Sequence, residues 1–299
     1  MSQFFCLTKR NIKMFFKDKG MFFTSLITPI ILLILYITFL GKVFNDSFVS
    51  NLPEGVEVSQ KIISGMVSGE LFSSLLAVSC VTVAFCSNLL MVQDKVNGAK
   101  KDFYISPIKK SKLAVSYYAG SFITTLIVSI TAMLACFIYV GITGWFLSFA
   151  DVLLILLDII LLTLFGTALS SVVNVFLSTN GQASAVGTVV SAGYGFICGA
   201  YMPISSFGIG LQRFLSFLPG TYGTCLIRSH ALSGVFNELK NQNFPSDVIE
   251  KIKDSIDCNF YFFGNKVSHL AMYGILIGSI VLFIGIYILI NYLRKRKQI

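Results

Sequence analysis

The chain has 299 residues, of which 55% are hydrophobic and only 12% charged, with a formal net charge of +9 and a mean hydropathy of +0.79. Soluble domains carry about 25% charged residues, so this composition excludes an ordinary soluble fold and points to a chain that passes repeatedly through lipid. The positive balance is weaker as a pointer, because basic residues mark membrane topology as readily as nucleic-acid binding.

In residues 1–20, Phe4, Phe5, Leu7, Ile12, Met14, Phe15 and Phe16 fall on one broad side of a helix and Lys9, Arg10, Lys13 and Lys17 on the other. That division predicts an amphipathic helix lying in the membrane interface. Residues 21–41 are the first run of about the 20 apolar residues that a bilayer core requires. No small-residue cleavage pattern follows, so the run is expected to stay as a span, kinked at Pro29. An external loop starting at Lys42 and including Asn51, Pro53, Glu54 and Gly55 is expected before the second span, residues 71–92.

Residues 93–112 read QDKVNGAKKDFYISPIKKSK, a basic island with six lysines between two apolar runs. The third and fourth spans follow at 116–141 and 152–177, the latter carrying Asp158. A carboxylate in a span suggests a proton site or a pathway contact. The alternative is a hydrogen bond to a neighbouring helix, or a position nearer the outer boundary. In the fifth span, 183–202, Ala183, Gly187, Ser191, Gly195 and Gly199 recur every four residues. Such a stripe of small side chains is a packing face, for a helix of the same chain or of a second subunit.

Between 203 and 265, Pro203, Gly208, Gly210, Pro219 and Gly220 break the chain into pieces too short to span, and the apolar stretch Phe207 to Leu218 reads as re-entrant or interfacial. Further on, Ser246 and Asp247 are placed to cap a helix on which Val248, Ile249, Ile252 and Ile256 share a face. The sixth span, 268–292, ends in the basic run Arg294 to Lys297. With both termini on one side, that side holds 15 lysines and arginines near the membrane against 8 on the other. Both ends are therefore expected in the cytoplasm, and the charge needs no nucleic acid to explain it.

Little in the chain suggests covalent chemistry. Cys80, Cys86, Cys136 and Cys198 lie within spans, and only Cys225 and Cys258 could meet outside as a disulfide. His230 and His269 are far apart in sequence, no metal-ligand spacing occurs, and the phosphate-cradling GxxxxGK[ST] pattern is missing. An enzyme is not expected, and neither a cofactor nor a metal is expected in this chain. The fold class that follows is an all-α polytopic membrane protein of six transmembrane helices, with an N-terminal interface helix and short re-entrant or external helices between spans five and six.

The order of these parts resembles the membrane subunit of ABC-2 type transporters. The resemblance rests on QFFCLTKRNIKMFFKDKGMFF before span one, the basic loop between spans two and three, the broken MPISSFGIGLQRFLSFLPGTYG after span five, and a last span with a basic end. It implies a single transmembrane domain over residues 1–299 in the cell membrane, working as a homodimer or with a second permease. It also implies separate ATPase subunits that bind ATP and Mg, and export of a drug, peptide, lipid or lipid-linked glycan. Residues 93–112 would then be a coupling loop docked on the ATPase, with Asp94, Lys95, Gly98, Lys100, Lys101, Phe103, Tyr104 and Pro107 as its telling residues. A short helix near Asp94 to Tyr104 fits that role, with Asn97 and Gly98 allowing a bend and Pro107 stopping the helix. Two other readings compete: a proton- or sodium-coupled transporter using Asp158, and a non-transporting scaffold whose lysines bind anionic lipid.

Overall fold

A computed structural model describes residues 3–50, 58–106 and 108–296. Pro107, the loop residues Asn51, Pro53, Glu54 and Gly55, and Lys297 lie outside the described residues, as do the side chains of Tyr104 and residues 294–296.

The structure is almost entirely helical. Helix α1 (Gln3–Lys17) is followed by α2 (Lys19–Leu35), a π turn (Tyr36–Leu40) and α3 (Gly41–Ser50). Then come α4 (Gln60–Asn88), α5 (Leu90–Val96), α6 (Ala99–Ile105), α7 (Lys110–Thr143), α8 (Phe149–Phe176) and α9 (Asn180–Ile197). The last third holds α10 (Ile209–Leu215), α11 (Pro219–Asn241), α12 (Ser246–Ser255), a hairpin of β1 (Tyr261–Phe262) and β2 (Asn265–Lys266), and α13 (His269–Arg296). Among the described residues, five stretches are long and apolar enough to cross a membrane: Lys19–Asp46, Gln60–Val96, Lys110–Thr143, Phe149–Phe176 and His269–Leu293. Helix α9, with 18 residues and a polar start at Asn180 and Gln182, falls outside that set.

The α4–α5 run is the axis of the bundle, with α2, α7, α8, α9 and α11 packed around it. Its small residues let neighbours close in, and Leu76, Val78 and Val81 are fully buried. Helix α4 begins well before the expected residue 71, and α3 replaces much of the expected external loop. Pro29 sits inside α2 without ending it. The irregular turn comes later, at Tyr36–Leu40, where the Tyr36 hydroxyl donates to the Val67 carbonyl of α4.

Helix α11 was not legible as a packed element. Its sequence looks polar, yet Leu226, Ile227 and Leu232 are 0% exposed among α4, α8 and α13. The polar residues enter because they find partners inside: Arg228 pairs with Glu70 of α4 at 2.8 Å, and His230 meets Asp158 of α8 at 2.6 Å. Helix α12 forms as expected and buries Val248, Ile249 and Ile252, but neither Ser246 nor Asp247 caps it, since the N-cap position falls on Pro245. Cys225 and Cys258 are buried free thiols, with the Cys225 Sγ donating to the Cys258 carbonyl at 3.5 Å.

One close approach gives a direct test of this packing. A Cβ on Gly234 of α11 would overlap the backbone carbonyl of Phe146 in the α7–α8 connection. Alanine normally favours a helix over glycine by about 1 kcal/mol, whereas overpacking a rigid contact costs about 1–3 kcal/mol. Gly234→Ala should therefore lower the thermal unfolding temperature of the detergent-purified protein. Gly285→Ala, where nothing lies within 4 Å, should not.

Candidate functional site

The basic end of the bundle is built around Asp94. This residue sits near the end of α5, only 4% exposed, and three helices converge on it. Arg10 of α1 reaches both carboxylate oxygens, Nη1 to Oδ2 at 2.5 Å and Nη2 to Oδ1 at 2.8 Å. The Tyr117 hydroxyl of α7 donates to the same Oδ2 at 2.5 Å. A bidentate, charge-assisted pair fixes orientation as well as distance. The Arg10 guanidinium also lies 5.3 Å from the centre of the Phe103 ring of α6, and the Asn11 amide donates to the Ser116 carbonyl at 3.1 Å. The Asp94 hydrogen bond raises the already high pKa of Arg10, against the opposing effect of burial.

Arg10 therefore leaves the outward basic face assigned to it. Helix α1 buries Leu7, Thr8, Asn11 and Phe15, mainly against α7, and leaves Lys9, Lys13 and Lys17 exposed. Phe5, Met14 and Phe16 are exposed as well, at 65%, 41% and 40%. The apolar face is thus wider than the part that packs, as suits a helix bordered by lipid.

Lys95 turns the other way. Its Nζ donates to the carbonyls of Asn174, Val175 and Leu177 at 3.2, 2.7 and 2.8 Å, satisfying the free end of α8. The single helix expected near Asp94 to Tyr104 is two: α5 stops at Val96, and α6 starts after Gly98, whose φ of +81° reverses the chain. Asp94 thus belongs to the end of the long α4–α5 run, and α6 is a separate short helix. Lys100 is partly covered and Lys101 exposed on α6, while Ile105 is 86% exposed at its tip. Ile105 is not among the residues singled out in the sequence, where its only signal is an apolar side chain at the end of a basic segment.

No neighbour lies within 4 Å of a Cβ at Gly98, so only the backbone resists a side chain there. Gly98→Ala should cost about 1–2 kcal/mol, the price of a left-handed alanine, while Gly98→Asn should cost less. Thermal unfolding of the two purified variants separates them.

A groove of about 1210 Å³ runs along the bundle between the α2–α3 run and α9, from Asp18 and Gly20 at the basic end to Pro203 and Ser255 at the other. Its middle is apolar and uncharged, with Ile27, Ile31, Leu35 and Phe39 facing Gly187, Thr188 and Ser191. The small-residue stripe accordingly divides. Ala183, Gly187 and Ser191 open onto the groove, Gly195 closes against the Tyr201 ring, and Gly199, at φ +75°, ends α9.

Asp158 does not line the groove. It is 1% exposed, with Oδ2 at 2.6 Å from His230 Nδ1 and Oδ1 accepting from the Tyr273 hydroxyl at 2.6 Å. The histidines, read as unrelated, meet here with ring centres 5.6 Å apart. A second buried cluster had no sequence signal. Arg228, 1% exposed, pairs with Glu70 and lies 3.8 Å from Asp257. Arg228 also donates to the Gly199 and Ile256 carbonyls at 2.8 and 3.0 Å, and Asp257 accepts from the backbone amides of Ile204 and Ser205. Glu70 escaped notice because it lies one residue before the expected start of span two.

A family model described as ABC-2 type transporter matches residues 2–231. No curated protein matches the chain.

Proposed function

The chain belongs to the ABC-2 type transporter family, and from that premise we propose that it is the permease subunit of an ABC exporter driven by separate ATPase subunits. The observation that carries this reading is the Arg10–Asp94–Tyr117 junction. It ties α1, α5 and α7 into one unit at the end of the bundle where α6 presents Lys101 and Ile105 outward. A partner that moves such a unit moves the helices behind it as rigid bodies.

In this reading both termini are cytoplasmic and the membrane is the cell membrane. The five apolar stretches are joined by α9 as a sixth span, about 27 Å long at 1.5 Å per residue, close to a bilayer core. Residues 93–112 couple to the ATPase, which binds ATP and Mg. The groove between α2 and α9 supplies the pathway for an amphiphile such as a drug or peptide, completed by a second copy or a second permease. Its length, its uncharged middle and its polar ends favour a substrate with an extended apolar part. Asp158 acts as a strut, since both its oxygens are engaged by neighbouring helices, which disfavours the proton- or sodium-coupled reading.

Copurification tests the reading. A tagged chain extracted in mild detergent should bring down a nucleotide-binding subunit, and Lys100→Glu with Lys101→Glu should reduce its yield. A scaffold that binds anionic lipid would instead lose liposome binding in the same variant. Recovery of no nucleotide-binding protein, with transport persisting in ATP-depleted vesicles, would overturn the assignment.

A further inference from the structure

Helix α10, the turn after it and the β-hairpin expose an apolar surface beside the bundle. Phe214 and Phe217 are each 63% exposed and Phe263 is 52% exposed. These residues are not scattered. The Phe217 ring meets Phe262 and Phe263 edge-on at 5.4 and 5.9 Å, and the two hairpin rings meet at 4.9 Å. The Arg213 guanidinium lies 5.4 Å from the centre of the Phe263 ring.

The orientation of this cluster is fixed from its other side. The Tyr261 hydroxyl donates to Asp254 of α12 at 3.0 Å, and Lys266 pairs with Glu250 at 2.9 Å. Lys266 and Lys253 together hold the Glu250 carboxyl down at about 2, so this polar face stays ionised. One side of the hairpin is therefore bound to charged protein, and the other presents phenylalanine.

Two observations identify what covers the phenylalanine side. The chain passes from β2 to α13, a membrane-length apolar helix, within three residues, and Leu270 in its first turn is 83% exposed. The hydrocarbon boundary must therefore lie close to the hairpin. The stretch Phe207 to Leu218 carries no acidic residue, and its one charge is Arg213, already stacked at the edge of the cluster. Aromatic rings with a basic side chain at their rim are the pairing that suits the headgroup zone, where the ring is buried and the cation reaches phosphate.

We infer that α10 and the β-hairpin form an aromatic clamp on the lipid beside the start of α13, with Phe214, Phe217 and Phe263 among the upper acyl chains and Arg213 on a lipid phosphate. The clamp holds whichever leaflet this is, so it stands or falls independently of the transporter assignment. Its mechanical role follows from position. Residues 203–208 are held at one end by Asp257 and continue at the other into α10, so lipid fixes one end of the segment that closes the groove at Pro203.

Tryptophan fluorescence tests it, because Trp145 is the only tryptophan in the chain. Phe263→Trp is placed in phosphatidylcholine–phosphatidylglycerol vesicles with and without lipids brominated along their acyl chains, and read as the difference from the parent protein. The added emission is expected at short wavelength, lost to the brominated lipid and resistant to iodide. Tyr261→Trp, on the polar side, is expected to show the reverse, and Phe217→Trp reads the same surface from the other element. Adding Arg213→Glu should move the Phe263→Trp emission to longer wavelength. Emission from Phe263→Trp and Phe217→Trp that is quenched by iodide overturns the inference, and so does emission shielded from both quenchers, which would mean that protein covers the patch.

Discussion

Arg228→Met is expected to destabilise the protein by about 3–5 kcal/mol, because it strands two buried carboxylates without their cation. Glu70 and Asp257 are 2% and 6% exposed, and Arg228 is their shared partner. The loss should spread beyond the ion pairs. Arg228 also closes the end of α9 through the Gly199 carbonyl and binds the Ile256 carbonyl after α12, so the outer end of the groove should loosen with it. Thermal unfolding of the detergent-purified protein gives the magnitude, and limited proteolysis around residues 203–208 gives the location. The triple variant Glu70→Gln, Arg228→Met, Asp257→Asn should recover much of the loss, since an uncharged trio carries no stranded ion. If Arg228→Met alone melts with the parent protein, the cluster does not hold the fold.

Asp94→Leu carries the largest expected effect on activity. It removes the acceptor for Arg10 and Tyr117 at once, and Arg10 is left part-buried beside Asn11, Phe103 and Tyr117, all uncharged partners. Helix α1 keeps its apolar contacts through Leu7 and Phe15, so the protein should still assemble. What is lost is the rigid connection between α1, α5 and α7. If the chain is the proposed exporter permease, substrate-stimulated ATP hydrolysis by the reconstituted complex should fall about 10-fold, within the 1–3 kcal/mol that couplings between sites usually carry, with the ATPase subunit still copurifying. A double-mutant cycle with Arg10→Leu measures the shared part. Additive losses would mean that the two residues act separately and would remove the junction from the coupling route.

The helices most legible in the sequence are those apolar along their whole length. Residues 116–141, 152–177 and 268–292 fall within or nearly within α7, α8 and α13, because an unbroken apolar run of about 20 residues is itself the signal. The central helix was less legible at its start. Residues such as Gly65, Ser68, Gly69 and Glu70 look unfit for a span, but they are buried against protein, where the requirement is a partner instead of hydrophobicity. The same reason hid α11, whose Arg228 and His230 look unfit for a buried helix until Glu70 and Asp158 are seen opposite them. Within the candidate site, Asp94, Gly98 and Phe103 stood out locally. That Arg10 turns inward to meet Asp94, 84 residues away in sequence, depends on how α1 rests on α7, which no periodicity encodes.

Lys95 gives the basic end a second attachment. Its three hydrogen bonds clasp the last turn of α8 and the carbonyl of Leu177, and α9 begins three residues later at Asn180. A tilt of α5 therefore cannot stay within its own hairpin with α7. On the proposed exporter reading, a push at α6 would pull on the elbow from which one wall of the groove hangs and work as a crank on the width of the opening between α2 and α9.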